Sequence, residues 1–76
     1  MKKIKVLAFG PLVEIVEKEF FIEATDTKKL LASLIRQFPL LENRKMAVAV
    51  NGKITKDVVL LEESDTVALL PPFSGG

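Results

Sequence analysis

One apolar stripe in the middle of the chain limits the folds that are open to it. Five large apolar side chains recur at helical spacing, while polar residues cover the opposite side: Leu30, Leu31, Leu34, Ile35 and Phe38. The segment from Thr25 to Thr27 offers helix caps and Pro39 ends the helix, so the pattern predicts a helix from about Lys28 to Gln37. A single helix with one apolar stripe needs a second apolar surface to pack against.

Strand-like segments on both sides of this helix supply that surface. Alternation of inward and outward residues predicts two strands before the helix and three after it: Lys3–Phe9, Glu19–Ala24, Met46–Val50, Lys53–Thr55 and Thr66–Leu70. Asn51-Gly52 is a hairpin signal of type I′ between the third and fourth strands. The order predicts an α+β fold that resembles the ubiquitin-like β-grasp, a mixed sheet with one main helix on one face and the first and last strands side by side.

The composition excludes several classes of function. The 76 residues contain no cysteine and no histidine, which removes thiol nucleophiles, the usual general base and the commonest metal ligand. A net charge of +1 gives no basic stripe for nucleic acid, and no apolar run reaches the ~20 residues that span a bilayer. We therefore expect a soluble cytoplasmic domain that binds no metal, no nucleic acid and no membrane.

The last six residues of the sequence run from Pro71 to Gly76 and end in Gly75-Gly76. Glycine has no Cβ, so a Gly-Gly backbone can enter a slot that is too narrow for any side chain. We predict a β-grasp domain over residues 1–72, a flexible tail over residues 73–76, and a functional carboxylate on Gly76 that a second enzyme activates. The alternative is an ordinary frayed terminus without a function.

A second candidate site lies on the sheet face away from the helix. The predicted alternation puts an apolar group there, with Ile54 near its edge: Leu7, Phe9, Ala68 and Leu70. A contiguous apolar patch on a solvated sheet face indicates a docking surface, although single exposed apolar residues are ordinary. Because Leu70 lies on the strand that leads into the tail, a partner bound here would aim Gly76. Asn51-Gly52 is interpreted as a turn without a further role.

These residues resemble a known family, the ubiquitin-like sulfur carriers that include the small subunit of molybdopterin synthase. The likeness spans nearly the whole chain and is carried by three segments: Ile4–Leu12, Val48–Gly52 and Asp65–Gly76. The specific part is the Pro-Pro-x-x-Gly-Gly ending after a D-x-V-A strand, and the other two segments are supportive.

The resemblance implies a carrier that performs no catalysis itself. An ATP-dependent adenylating enzyme would activate the Gly76 carboxylate, and a sulfur donor would convert it to a thiocarboxylate. The large synthase subunit, which holds the catalytic groups, would then receive the tail and pass its sulfur to a pterin precursor of the molybdenum or tungsten cofactor. The chain would bind no cofactor, and ATP would be used by the activating partner. The implied site residues are the active tail and four positions that face partners: Gly75, Gly76, Phe9, Ile54, Leu70 and Phe73.

Three other functions share these sequence features. One is a sulfur carrier for thiamine or tRNA thiolation, which has the Gly-Gly end but less often the Pro-Pro spacer. Another is a ubiquitin-like protein modifier, in which the activated Gly76 carboxylate forms an isopeptide bond with a lysine. The last is a β-grasp binding module whose tail is inert.

Overall fold

The computed structural model describes residues 2–43 and 46–71. The elements follow the predicted order, with five strands, one α-helix and two short 3-10 helices: β1 (Lys3–Ala8), a first 3-10 helix (Gly10–Glu14), β2 (Glu19–Glu23), α1 (Thr27–Gln37), a second 3-10 helix (Pro39–Asn43), β3 (Ala47–Val50), β4 (Lys53–Thr55) and β5 (Thr66–Leu70). Most predicted boundaries lie within a residue of the observed ones. The predicted tail over residues 73–76 falls outside the described residues, so its flexibility stays a prediction.

The strands form one mixed sheet in the order β2-β1-β5-β3-β4. β1 and β5 pair in parallel, with Val6 beside Val67 and Ala8 beside Leu69, and the other neighbours are antiparallel. The first and last strands therefore lie side by side, as the sequence predicts, and β5 is the central strand. This arrangement confirms the predicted β-grasp fold.

The core lies between α1 and one face of the sheet. Residues that alternate inward along the strands meet Leu30 and Leu34 of α1, and nearly all of them are fully buried: Ile4, Val6, Ala8, Ile22, Val48, Val67 and Leu69. Burial of each large aliphatic side chain contributes about 1.5–3 kcal/mol. Successive side chains of a strand point to opposite faces, so this core also fixes which residues the sheet presents on its outer face.

Helix α1 begins at Thr27, one residue before the predicted start. The Asp26 carboxylate caps the helix by accepting a hydrogen bond from the Lys29 amide at 2.7 Å. The buried Thr27 hydroxyl accepts a bond from the Val59 amide at 3.0 Å, and the Thr27 amide donates to the Val59 carbonyl at 3.0 Å. The start of the helix is therefore tied to the segment that follows β4.

Two connecting segments have a structure of their own. Pro39–Asn43 form the second 3-10 helix, which buries Leu41. In the segment over residues 58–61, Leu61 is buried while Val58 and Leu60 are exposed. The reason is an isolated bridge between Leu60 and Asp26, which makes the segment strand-like, so alternate side chains point outward.

Candidate functional docking surface and tail base

A row of apolar side chains crosses the sheet face away from α1. Leu7 of β1 lies beside Ala68 of β5, Ala68 lies opposite Ala49 of β3, and Ala49 lies opposite Ile54 of β4. Residues paired in this way share one face of the sheet. The predicted positions of Leu7, Ala68 and Ile54 on a single outer face are therefore confirmed.

A second apolar pair lies one step closer to the tail. Phe9 continues β1 in an extended conformation, with φ −128° and ψ 156°, and its amide donates to the Leu69 carbonyl at 3.1 Å. The alternation then places Phe9 and Leu70 side by side on the outer face, and Ala47 lies opposite Leu70 on β3. Phe9 is 44% exposed and Ile54 is 53% exposed, while Leu70 is half-buried.

We call these side chains the outer-face patch: Leu7, Phe9, Ala47, Ala49, Ile54, Ala68 and Leu70. The structure brings together three of the four predicted partner-facing residues, Phe9, Ile54 and Leu70. The fourth, Phe73, lies outside the described residues, as do Gly75 and Gly76. Whether any of these residues binds a partner stays a prediction.

Sequence reasoning missed Ala47 and Ala49 as members of the patch. Ala49 is only 3% exposed although it points away from α1, and it lies between Ile54 of β4 and Ala68 of β5. The two alanines connect Leu70 with Ile54 across β3. Their alternation with the inward-pointing Val48 indicates the outer face, but the register of β3 against β5 is needed to place them beside Ala68 and Leu70.

Charged residues of β1 and β2 lie beside the apolar patch on this face, with Glu19 opposite Leu7. Lys5 and Glu19 are 3.6 Å apart, and both side chains are well exposed, so the ion pair contributes at most about 1 kcal/mol. Phe21 is exposed on the same face, opposite Lys5 and one step away from the row that contains Leu7. The outer-face patch thus extends from the middle of the sheet, at Ala68, to the end where β5 finishes, at Leu70.

The base of the tail packs against the residue that follows Phe9. Gly10 has φ +60°, in the left-handed region that favours glycine, and a Cβ at this position would lie 3.1 Å from Cγ of Pro71. Pro71 directly follows β5 and is half-buried. The chain therefore leaves the sheet in contact with Gly10 and next to the outer-face patch.

The opposite end of the sheet carries the β3–β4 turn. Asn51 and Gly52 have φ of 51° and 85°, which confirms the predicted type I′ signal. The interpretation of Asn51 as a turn residue alone is wrong. Its Nδ2 donates to Asp65 Oδ1 and its Oδ1 accepts from the Thr66 amide, both at 2.9 Å. An amide side chain carries a donor and an acceptor, so Asn51 can bridge two turns at once.

Asp65 completes this polar cluster. Its Oδ2 accepts a hydrogen bond from the Glu62 amide at 2.8 Å. The bond from Asn51, followed by the bond from Glu62 and the charge of Lys2, holds the pKa of Asp65 below its usual value. Within residues 2–43 and 46–71, the structure has no cluster of three or more acidic side chains that could hold a metal ion. In the same residues, no helix is long and apolar enough to cross a membrane.

This chain is similar to a sulfur carrier subunit and to several solved structures. It is 38% identical over 52 residues to the molybdopterin synthase sulfur carrier subunit of Arabidopsis thaliana, a match that covers 66% of this chain and 54% of the relative. The chain thus spans about half the length of this curated relative.

Solved structures give matches over the whole domain. A chain in the complex of subunits 1 and 2 of the molybdopterin-converting factor from Helicobacter pylori is 37% identical, with a TM-score of 0.76 and coverage of 97% of this chain and 99% of that one. The small archaeal modifier protein 1 of Methanosarcina acetivorans is 24% identical to this chain, with a TM-score of 0.84. The alignment covers 100% of this chain and 98% of that one, which shows that the two proteins share a fold. The family profile described as the ThiS family matches residues 6–76. The resemblance inferred from the sequence is therefore confirmed, and the chain belongs to the ThiS family.

Proposed function

We propose that this domain is a sulfur carrier that acts as the small subunit of molybdopterin synthase. The observation that carries the proposal is the outer-face patch, which reaches the end of the sheet where Pro71 leads into the tail. A partner bound to this patch would hold the domain next to the point where the tail leaves. The relative in the complex of two molybdopterin-converting factor subunits, 37% identical to this chain, supports the same assignment.

In this proposal, the chemistry belongs to Gly76 and to two partner enzymes. An oxygen of the Gly76 carboxylate attacks the α-phosphorus of ATP in an adenylating enzyme, and pyrophosphate leaves. A hydrosulfide ion supplied by a donor then attacks the acyl carbon, the bond to the adenylate oxygen breaks, and AMP leaves, so that one sulfur replaces one oxygen. The resulting thiocarboxylate enters the large synthase subunit, where its sulfur passes to a pterin precursor of the molybdenum or tungsten cofactor.

The properties of the domain suit a carrier. Its sequence contains no cysteine or histidine, and a carrier needs neither because the partners supply the base and the nucleophile. The rigid sheet holds the tail base, while Gly75 and Gly76 present the smallest backbone that can enter an active-site slot.

Intact-mass spectrometry tests the proposal directly. Incubation with the cognate adenylating enzyme, ATP and a sulfur donor should replace one oxygen of the protein by one sulfur. Removal of Gly76 should abolish this change, because the tail shortens by up to ~3.6 Å and its carboxylate no longer reaches the adenylate site. Extension by one alanine after Gly76 should also abolish it, whereas the Phe21→Asp variant, altered outside the patch, should react like the wild type.

Three outcomes would contradict the proposal. An unchanged wild-type mass under these conditions would exclude a sulfur carrier. Conjugates between Gly76 and lysines of other proteins, without any thiocarboxylate, would replace it by a protein modifier. Transfer of sulfur to thiamine or tRNA precursors, with none to a pterin precursor in the presence of the large subunit, would assign the domain to another sulfur pathway.

A further inference from the structure

We infer that Gly10 is a positioning residue for the tail, because its missing side chain lets the Pro71 ring pack against the backbone and so sets the direction in which residues 72–76 leave the domain. The consequence for sulfur loading rests on the proposed function, whereas the effect on tail direction does not.

Gly10 and the Pro71 ring lie in close contact just beyond the ends of β1 and β5. The Phe9 amide bonds the Leu69 carbonyl, so the chain segments that contain Gly10 and Pro71 leave the paired strands together. A Cβ on Gly10 would meet Pro71 Cγ at 3.1 Å, Cδ at 3.7 Å and Cβ at 3.9 Å. Only the first of these distances is shorter than ordinary van der Waals contact, so a side chain at position 10 would displace the ring by a few tenths of an ångström.

A displacement of this size at the base grows along the tail. The Pro71 ring fixes φ, so a shift of the ring turns the chain that follows instead of being absorbed by backbone rotation at that residue. Five residues span at most about 18 Å, and a tilt of about 6° over that length moves the mean position of the far end of a flexible tail by about 2 Å. Misplacement of a reacting group by about 1 Å can lower a rate by about 100-fold.

The chain offers a matched control in Gly52. This glycine also has a positive φ, +85°, but a Cβ there would meet nothing within 4 Å. Alanine at either position therefore introduces backbone strain of the same kind, and only alanine at position 10 also presses on Pro71. A difference between the two variants isolates the contact with Pro71 from the cost of the strained backbone.

The direction of the tail can be measured without any partner. The sequence lacks cysteine, so the Ser74→Cys substitution gives a single attachment site for a nitroxide label. We expect Gly10→Ala to change which backbone amides the label broadens in NMR spectra, and Gly52→Ala to leave the wild-type pattern. Pro71→Ala removes Cγ and Cδ of the ring while Gly10 stays, and we expect it to change the broadening pattern as well. If Gly10→Ala does not fold, Pro71→Ala alone tests the contact.

The functional readout follows from the same variants. With the adenylating enzyme, ATP and a sulfur donor, kcat/KM for thiocarboxylate formation should fall roughly 10-fold or more in Gly10→Ala and less than about twofold in Gly52→Ala. Wild-type broadening patterns in both Gly10→Ala and Pro71→Ala would overturn the inference. A wild-type protein that is never thiocarboxylated would overturn the proposed function instead, and the label experiment would still decide the role of Gly10.

Discussion

The two ends of the sheet are built differently, although the same five strands run between them. At the turn end, the side chains of Asn51 and Asp65 form hydrogen bonds with each other and with nearby backbone amides. At the tail end, Phe9 is exposed and Leu70 is half-buried, and the apolar patch continues from there to the exposed Ile54 midway along the sheet. The polar groups of the turn end are satisfied within the domain, so this end contributes to stability. The apolar groups of the tail end are only partly covered, so this end is free to contribute to binding.

The contrast predicts two separable kinds of variant. Changes at the tail end should alter affinity for a partner while the fold remains, and changes at the turn end should alter stability while affinity remains. Each prediction below is a test of that separation.

The largest expected effect concerns Leu70 at the tail end. Leu70→Asp should weaken binding to the large synthase subunit by at least ~2 kcal/mol, about 30-fold in Kd, because a carboxylate would be buried in the centre of a desolvated interface. Calorimetric titration measures this change. Phe21→Asp is the matched control, since Phe21 is also apolar and exposed on the outer face but lies outside the patch. Equal losses in the two folded variants would contradict the prediction.

The next effect concerns Asn51 at the turn end. Asn51→Ala should lower the free energy of unfolding by about 1.5 kcal/mol, because it removes two hydrogen bonds and places alanine at φ 51°. Asn51→Gly keeps the backbone conformation and should lose only the part due to the side chain. Urea denaturation separates the two variants, and a weakened affinity for the large subunit in either would show that the ends are not independent.

A smaller loss of affinity is expected at Ile54. This residue lies on the edge strand β4, at the end of the apolar row, where interface residues contribute less than central ones. Ile54→Ala should weaken binding by about 1 kcal/mol, roughly fivefold in Kd. Val58→Ala changes a similarly exposed apolar residue outside the patch and should leave Kd unchanged. A larger loss for Ile54→Ala than for Leu70→Asp would move the centre of the interface to the edge strand.

The smallest expected effect is a pH dependence at the turn end. The pKa of Asp65 is lowered in the folded state, so the unfolded state binds more protons, and this contribution to stability is complete above the unfolded pKa of about 3.9. It is lost as pH falls below that value through the lower folded pKa. Urea midpoints measured between pH 6 and pH 3 should therefore fall less in Asp65→Asn than in the wild type. Equal decreases of the urea midpoint in the wild type and in Asp65→Asn would show that Asp65 has the same pKa in the folded and unfolded states.

The sequence predicted features that depend on near neighbours in the chain. Alternation placed Val67 and Leu69 in the core and Ala68 and Leu70 outside, because the period of a strand leaves only two faces. The positive φ of Asn51 was readable from the Asn-Gly pair.

Features that depend on residues far apart in the chain were not readable. The bonds from Asn51 to Asp65 and Thr66, and those between Thr27 and Val59, join segments that only the fold brings together. The contact of Gly10 with Pro71 is of the same kind. The outer-face patch lies between these cases, since Leu7, Ala68 and Leu70 followed from alternation, while the inclusion of Ala47 and Ala49 required the register of β3 against β5.

The parallel pairing of β1 with β5 has a consequence for how the protein is made. These strands begin at Lys3 and Thr66, so their pairing closes a loop of some 60 residues at an entropic cost of roughly 4 kcal/mol. On the ribosome, the central place in the sheet stays empty until β5 has emerged, and β1 and β3 each lack the neighbour that β5 provides. A translation product that stops before Thr66 therefore lacks the folded sheet and is open to proteolysis. Acquisition of protease resistance would thus mark the chains in which synthesis has passed through the strand that leads to Pro71.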